Sequence, residues 1–284
     1  MFIANLITDW IWPGEGVHSF HWFHIMWLVL MVIGCFASSY FLGRKHNKKI
    51  DDRFIFIIGT MLILIEIYKQ VFYTLDAGYF QWYAFPFQFC SVPMYVAFVA
   101  PLIKNEKIKE YMYKFLASFG LLAGIAVMIY PDSCFATKYI TILIHTMLWH
   151  SSMVVMGVYL IVARGYGKNL LKEITPGAII FSIIVTVALI ANIIAYKVYF
   201  GDPIKNIHNE KFFLLYISPY YETPFPILCD IKEKVPFVIF FITYLLAFFL
   251  GVSLLWSIVF LIRKAILKIT NKNNAKASEL VNSL

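Results

Sequence analysis

Charged residues are scarce in this 284-residue chain: Asp, Glu, Lys and Arg make up only 14% of it, against 61% hydrophobic residues. Soluble domains hold close to a quarter charged residues and about half apolar ones, so an ordinary soluble domain is excluded and lipid is the expected solvent. Cysteine is sparse too. Cys35, Cys90, Cys134 and Cys229 are widely spaced and form no CxxC pair. Cys35 and Cys90 lie in apolar runs, where a disulfide would need adjacent helices at matching depth. Cys134 and Cys229 fall in connections expected to lie outside, where that pair can be oxidised. The first eighteen residues carry Asp9 and Glu15 but no Lys or Arg, so no cleavable leader is expected. There is no internal repeat of the kind an inverted-repeat transporter shows. Nor is there a basic face interleaved with stacking aromatics, and nucleic acid is therefore not the partner of the net charge of +8.

What the chain has in abundance is apolar length and aromatic surface. Its mean hydropathy is +0.75, and its 27 Phe, 18 Tyr and 7 Trp suit a bundle with aromatic belts at both interfaces. A span needs about 20 apolar residues. Seven runs of that kind fall at 21–42, 54–75, 86–103, 112–130, 139–163, 177–199 and 236–262. The expected fold is all-α: a polytopic membrane protein, a bundle of about seven transmembrane helices over 1–263, followed by a basic tail at 264–284. The third run holds Pro86, Pro93 and Pro101 and is expected to be kinked or broken, since proline removes a backbone donor and clashes with the preceding turn.

The cations set the orientation. Of the 24 Lys and Arg, 17 fall in the connections after expected spans one, three and five or in the tail. The positive-inside rule then puts the N-terminus outside and the C-terminus in the cytoplasm, with the charge facing anionic headgroups. The long outer connection, 200–235, is rich in aromatics and proline and reads as an ordered cap on the bundle.

Polar groups retained in lipid default to pairing or functional roles. Glu66 and Lys69 stand at i, i+3 on one helix face, either as a structural ion pair or as the lining of a cavity. Gln88 and Cys90 open the third run, where a lone cysteine is either a small hydrophobe or a nucleophile. His145 and His150 are five residues apart, about 500° round a helix, which points them to different sides and counts against a metal pair. His18, His21 and His24 open the first span as interfacial anchors or ligands, and Asn192 completes the set. Counting about 1.5 Å per residue from each outer end, Lys69, Cys90, His145 and Asn192 share a depth, with Glu66 and His150 slightly below. The cytoplasmic half holds almost nothing ionisable on this reading, so one outward-facing cavity is expected rather than a through-going polar path. No metal and no cofactor are expected in it. Its chemistry would be acyl transfer: Cys90 activated by His150 or His145, with Gln88 or Asn192 as oxyanion donors.

The stretch IEIYKQ, then AGYF, then FPFQFCSV resembles the run E-x-x-K, Gly, L-P-x-H-x-C of the YwaF-like bacterial membrane proteins, relatives of the mammalian transmembrane protein 164 acyltransferase. MIYPDSCF resembles that family's T-P-D segment, LWHSSMVVMGVYLIV its S-H-G helix, and HWFHIMW the start of its first span. The likeness covers most of residues 18–263 and implies a lipid acyltransferase or hydrolase in a bacterial plasma membrane. Cys90 would accept the acyl chain, His150 would be its base, and membrane phospholipids would be the substrates. One position departs: the family has His two residues before the Cys, and here it is Gln88. Two other classes stand beside this one. A small-molecule binding or transport component would use the same cavity without chemistry, and a partner-binding scaffold would not use it at all.

Overall fold

The computed structural model describes residues 10–13, 16–45 and 47–282. Six helices in it are long and apolar enough to cross a membrane. They are α1 (Trp22–Phe41), α2 (Lys48–Ala77), α4 (Glu106–Ile129), α5 (Ile140–Ala163), α6 (Leu170–Ala195) and α8 (Phe237–Asn282). Two shorter helices, α3 (Val92–Val99) and α7 (Pro226–Lys234), lie between them. Among the described residues the only extended pairing is a single bridge between Ile11 and Tyr139. The chain is an all-α polytopic membrane protein.

The third run, 86–103, follows its prolines. Irregular backbone leads to α3, which has proline in its first turn, and a 3₁₀ turn at Ala100–Leu102 containing Pro101 ends it. Proline fits a helix start because the missing N–H there has no intrahelical acceptor. α3 by itself is too short to span. It gains its place by close approach to α2: a Cβ on Gly59 would stand 2.6 Å from the Phe98 backbone nitrogen, so only glycine lets the two backbones meet.

Three asparagines start three of the long helices. Asn47 accepts from Lys49 N at 2.9 Å, Asn105 from Lys107 N at 3.0 Å, and Asn169 from Lys172 N at 3.1 Å. Each covers backbone donors that the first turn leaves without an acceptor. At its other end α2 closes on Gly78, whose φ of 77° is the left-handed cap glycine adopts readily. α5 is the axis of the bundle, with α1, α2 and α4 packed round it. α1 and α8 turn Val29, Val32, Phe36, Leu246, Leu250 and Leu254 outward, the surface a lipid-facing helix presents.

The basic end corrects one expectation. The half of the bundle expected to lack ionisable groups contains a buried charge network, because α2 begins at Lys48 and carries Asp51 and Asp52 inward. Arg164 Nε lies 2.7 Å from Asp51 Oδ2, with Glu110 at 3.4 Å and Asp52 at 3.6 Å from its other nitrogens. Lys109 pairs with Asp52 at 2.7 Å. Tyr159 donates to Asp51 at 2.7 Å, Tyr113 to Asp52 at 2.5 Å, and Tyr166 to Glu110 at 2.7 Å. This ties α2, α4 and α5 together at the cation-rich end.

At the opposite end, the connection 200–235 contains a 3₁₀ turn, Leu214–Tyr216, and α7. Leu215, Ile217 and Ser218 are fully buried, so the turn dips into the bundle.

Candidate functional site

Below that turn lies a cavity of about 690 Å³. α2 contributes Glu66, Lys69 and Tyr73, which share a face at i, i+3, i+7. The irregular segment before α3 contributes Tyr83, Gln88, Cys90 and Ser91. α5 contributes Ile142, His145, Thr146, Trp149 and His150, and the connection before it adds Cys134, Lys138 and Tyr139. Tyr216 enters from the dipping turn.

The two histidines were expected on different sides of α5, yet both line this cavity. Five residues amount to a net separation of about 140°, the width of one broad helix face, and the pair forms its two edges. Between them Trp149 stacks on His145, with centroids 5.2 Å apart, and its indole N–H donates to the Cys90 carbonyl at 2.9 Å. α5 therefore fixes the backbone that carries the thiol.

Glu66 is the electrostatic centre. Its Oε1 lies 2.8 Å from Lys69 Nζ and accepts from Gln70 Nε2 at 2.7 Å. The same Gln70 nitrogen reaches the Ala84 carbonyl at 2.7 Å, joining α2 to the irregular segment. Glu66 Oε2 stands 3.7 Å from His145 Nε2, an ionic distance rather than a hydrogen bond. Glu66 and Lys69 thus both pair and line the cavity.

His150 is held differently. Its Nδ1 lies 2.8 Å from the Thr146 carbonyl. A carbonyl only accepts, so Nδ1 carries the proton and Nε2 keeps its lone pair. That Nε2 is buried without a hydrogen-bond partner among the described residues, as are His145 Nε2, Glu66 Oε2 and Gln88 Oε1. An imidazole fixed in this tautomer can take a proton. Among the described residues no hydrogen bond joins Cys90 to either histidine; cavity and depth are what they share.

Two residues named from the sequence lie elsewhere. Asn192 is buried in α6, where its amide donates to Leu214 O at 2.9 Å and Ile217 O at 2.6 Å and accepts from Leu214 N at 2.9 Å. It clamps the dipping turn. His24 is fully buried at the start of α1, with Nε2 2.9 Å from Met128 O and Nδ1 accepting from Phe20 N at 3.0 Å. It pins α1 to the end of α4. Gln88 does both jobs: it lines the cavity and donates to Phe213 O at 2.9 Å. Cys134 lines the cavity and Cys229 sits on α7 beside a smaller pocket, so the two thiols considered for a bridge belong to different features.

Tyr73, Tyr83, Tyr139, Trp149, Ser91 and Tyr216 were not singled out by the sequence. The tyrosines read as belt aromatics there. Trp149 had a signal, being four residues beyond one cavity histidine and next to the other.

Residues 18–252 match the family model described as the TMEM164 family. The chain belongs to the TMEM164 family. Comparison with curated proteins and with solved structures returns no match. The matched stretch contains every residue of the cavity, so in this member of the TMEM164 family the site lies wholly inside the shared region.

Proposed function

We propose that the protein is a membrane lipid acyltransferase or lipid hydrolase whose nucleophile is Cys90 and whose base is His150. The observation that carries this reading is a thiol and an imidazole with a free ring nitrogen lining one cavity. Its setting is a bacterial plasma membrane, with the N-terminus outside and the cavity in the outer leaflet, reached by phospholipid.

The steps balance on these groups. His150 Nε2 takes the Cys90 thiol proton, and the sulfur bonds to the carbonyl carbon of a phospholipid ester. The tetrahedral oxyanion collapses, the carbon–oxygen ester bond breaks, and the leaving alkoxide takes the proton from His150. A lysolipid hydroxyl, or water for hydrolysis, then attacks the thioester and returns the thiol. Lys69, held by Glu66, lines the same cavity as the sulfur.

The test uses full-length protein in proteoliposomes holding a phospholipid with a deuterated acyl chain and an unlabelled lysophospholipid. Mass spectrometry should find the deuterated chain on the acceptor or released as fatty acid, and a hydroxylamine-sensitive acyl adduct on Cys90. Cys90→Ala should abolish both, and His150→Ala should slow them and the alkylation of Cys90. Transfer undiminished in Cys90→Ala would overturn the proposal. The second reading, a binding or transport component, is favoured by the missing Cys90–imidazole hydrogen bond. It predicts lipid or solute binding with Cys90 inert to alkylation in every variant.

A further inference from the structure

The two amides first considered as oxyanion donors are engaged with one short segment. Both Asn192 N–H groups go to Leu214 O and Ile217 O, and Gln88 donates to Phe213 O. Tyr244 adds a bond to Leu215 O at 2.7 Å, and Leu215 N donates to Phe87 O at 3.1 Å. Five bonds from two helices and the irregular segment therefore converge on residues 213–217, with Leu214 N to Asn192 as a sixth.

What they hold is a costly backbone. Leu215 has φ 50° and Tyr216 has φ 52°, two consecutive non-glycine residues in the left-handed region. Such conformations persist only where the surroundings over-determine them, and they concentrate at functional sites. Here the effect is to send Leu215 into the core and Tyr216 into the cavity, the one residue of 200–235 that lines it among the described residues. Its ring is wedged edge-on between Phe213 and Phe225, at centroid distances of 5.5 and 5.7 Å. Among the described residues nothing hydrogen-bonds its hydroxyl. Burial, and then the Cys90 and Cys134 sulfurs facing it, raise that hydroxyl to about 12, so it keeps its proton at any physiological pH.

We infer that Tyr216 is a catalytic residue, its hydroxyl donating a hydrogen bond to the acyl oxygen as Cys90 attacks, and that Gln88 and Asn192 are positioning residues that act through it. This rests on the acyl-transfer reading above. Attack moves the carbonyl π pair onto oxygen; the phenol O–H, already aimed and needing no reorganisation, stabilises that charge, and no proton changes hands.

Tyr216→Phe keeps the ring between Phe213 and Phe225 and removes only the donor. In the deuterated-lipid proteoliposome assay it should lower kcat about 100-fold, the loss typical for one oxyanion donor, with KM within about threefold. The rate of Cys90 alkylation and its pH profile should match wild type, because the donor acts on the acyl oxygen rather than on the sulfur. Fluorotyrosine at 216, the same shape with a more acidic hydroxyl, should change kcat where Tyr216→Phe loses it, which packing would not. A kcat for Tyr216→Phe within threefold of wild type, or a loss that fluorotyrosine does not modulate, overturns the inference. Activity in Cys90→Ala overturns the acyl-transfer reading instead. Inactive Cys90→Ala with active Tyr216→Phe overturns the role of Tyr216 alone.

Discussion

Replacing Asp51 by Ala tests whether the cation-rich end is a fastener or merely solvated topogenic charge. Asp51 is 0% exposed and Arg164 7%, with 2.7 Å between them, and Asp51 also accepts from Tyr159. Removing one partner of a buried pair costs about 3–5 kcal/mol, because the other charge is left desolvated. Arg164 keeps Asp52 at 3.6 Å and Glu110 at 3.4 Å, so the loss should fall at the low end, near 3 kcal/mol. The comparison is Lys48→Ala, which removes an ion pair of similar length, 3.0 Å to Glu106, whose partners are 66% and 57% exposed. That pair should be worth less than about 1 kcal/mol. Both variants would be unfolded reversibly in mixed detergent micelles and followed by circular dichroism. A cost for Asp51→Ala no larger than that for Lys48→Ala would refute the claim that burial, not charge count, makes this network hold the bundle.

Gly59→Ala should destabilise by roughly 1–3 kcal/mol in the same assay, since the new Cβ meets the α3 backbone rather than a movable side chain. Asn192→Ala leaves Leu214 N, Leu214 O and Ile217 O without their amide partner. Buried orphans of this kind cost about 1–3 kcal/mol each before relaxation, and amide exchange at 213–217 should accelerate while exchange in α5 stays slow. Trp149→Phe keeps an aromatic ring on His145 but drops the bond to the Cys90 carbonyl. It should cost about 1 kcal/mol and speed alkylation of Cys90; an unchanged alkylation rate would mean that Trp149 does not hold that backbone.

Much of the site could be read from the sequence for one physical reason. In a run of lipid-soluble residues a polar side chain stands out, and the bundle has few places to put it. Glu66, Lys69, Gln88, Cys90, His145 and His150 stood out in this way and share the cavity. The same logic misplaced Asn192, whose amide satisfies a chain segment 22 residues away rather than a ligand. It missed Tyr216 altogether, because a tyrosine in an aromatic-rich connection carries no mark of the left-handed turn that aims it. The charge network was missed for a subtler reason. Counting Lys and Arg at span ends yields orientation but treats every end charge as solvated. The neighbouring acids Asp51 and Asp52, in an otherwise cationic connection, were the available sign that some are paired and buried.

Both ends of the bundle hold buried polar groups, but among the described residues only one of them opens into a cavity of about 690 Å³. At the cation-rich end Asp51, Asp52, Lys109, Glu110 and Arg164 each lie within ion-pair distance of an opposite charge. Mutual pairing offsets part of the cost of keeping charge inside, while Asp51 Oδ2, Arg164 Nε and one terminal nitrogen of Arg164 make ion pairs without a hydrogen bond of good geometry. At the cavity Glu66 Oε2, Gln88 Oε1, His145 Nε2 and His150 Nε2 are buried with no hydrogen-bond partner. Buried polar atoms are satisfied in the great majority of cases, so four that belong to residues lining one cavity mark it as a place where water or a ligand makes contact. Stability alone would favour apolar residues at these positions. Under the acyl-transfer proposal the acceptors among them would be met by a donor, the hydroxyl of the acyl-accepting lysolipid or a water molecule, since an ester oxygen is itself an acceptor.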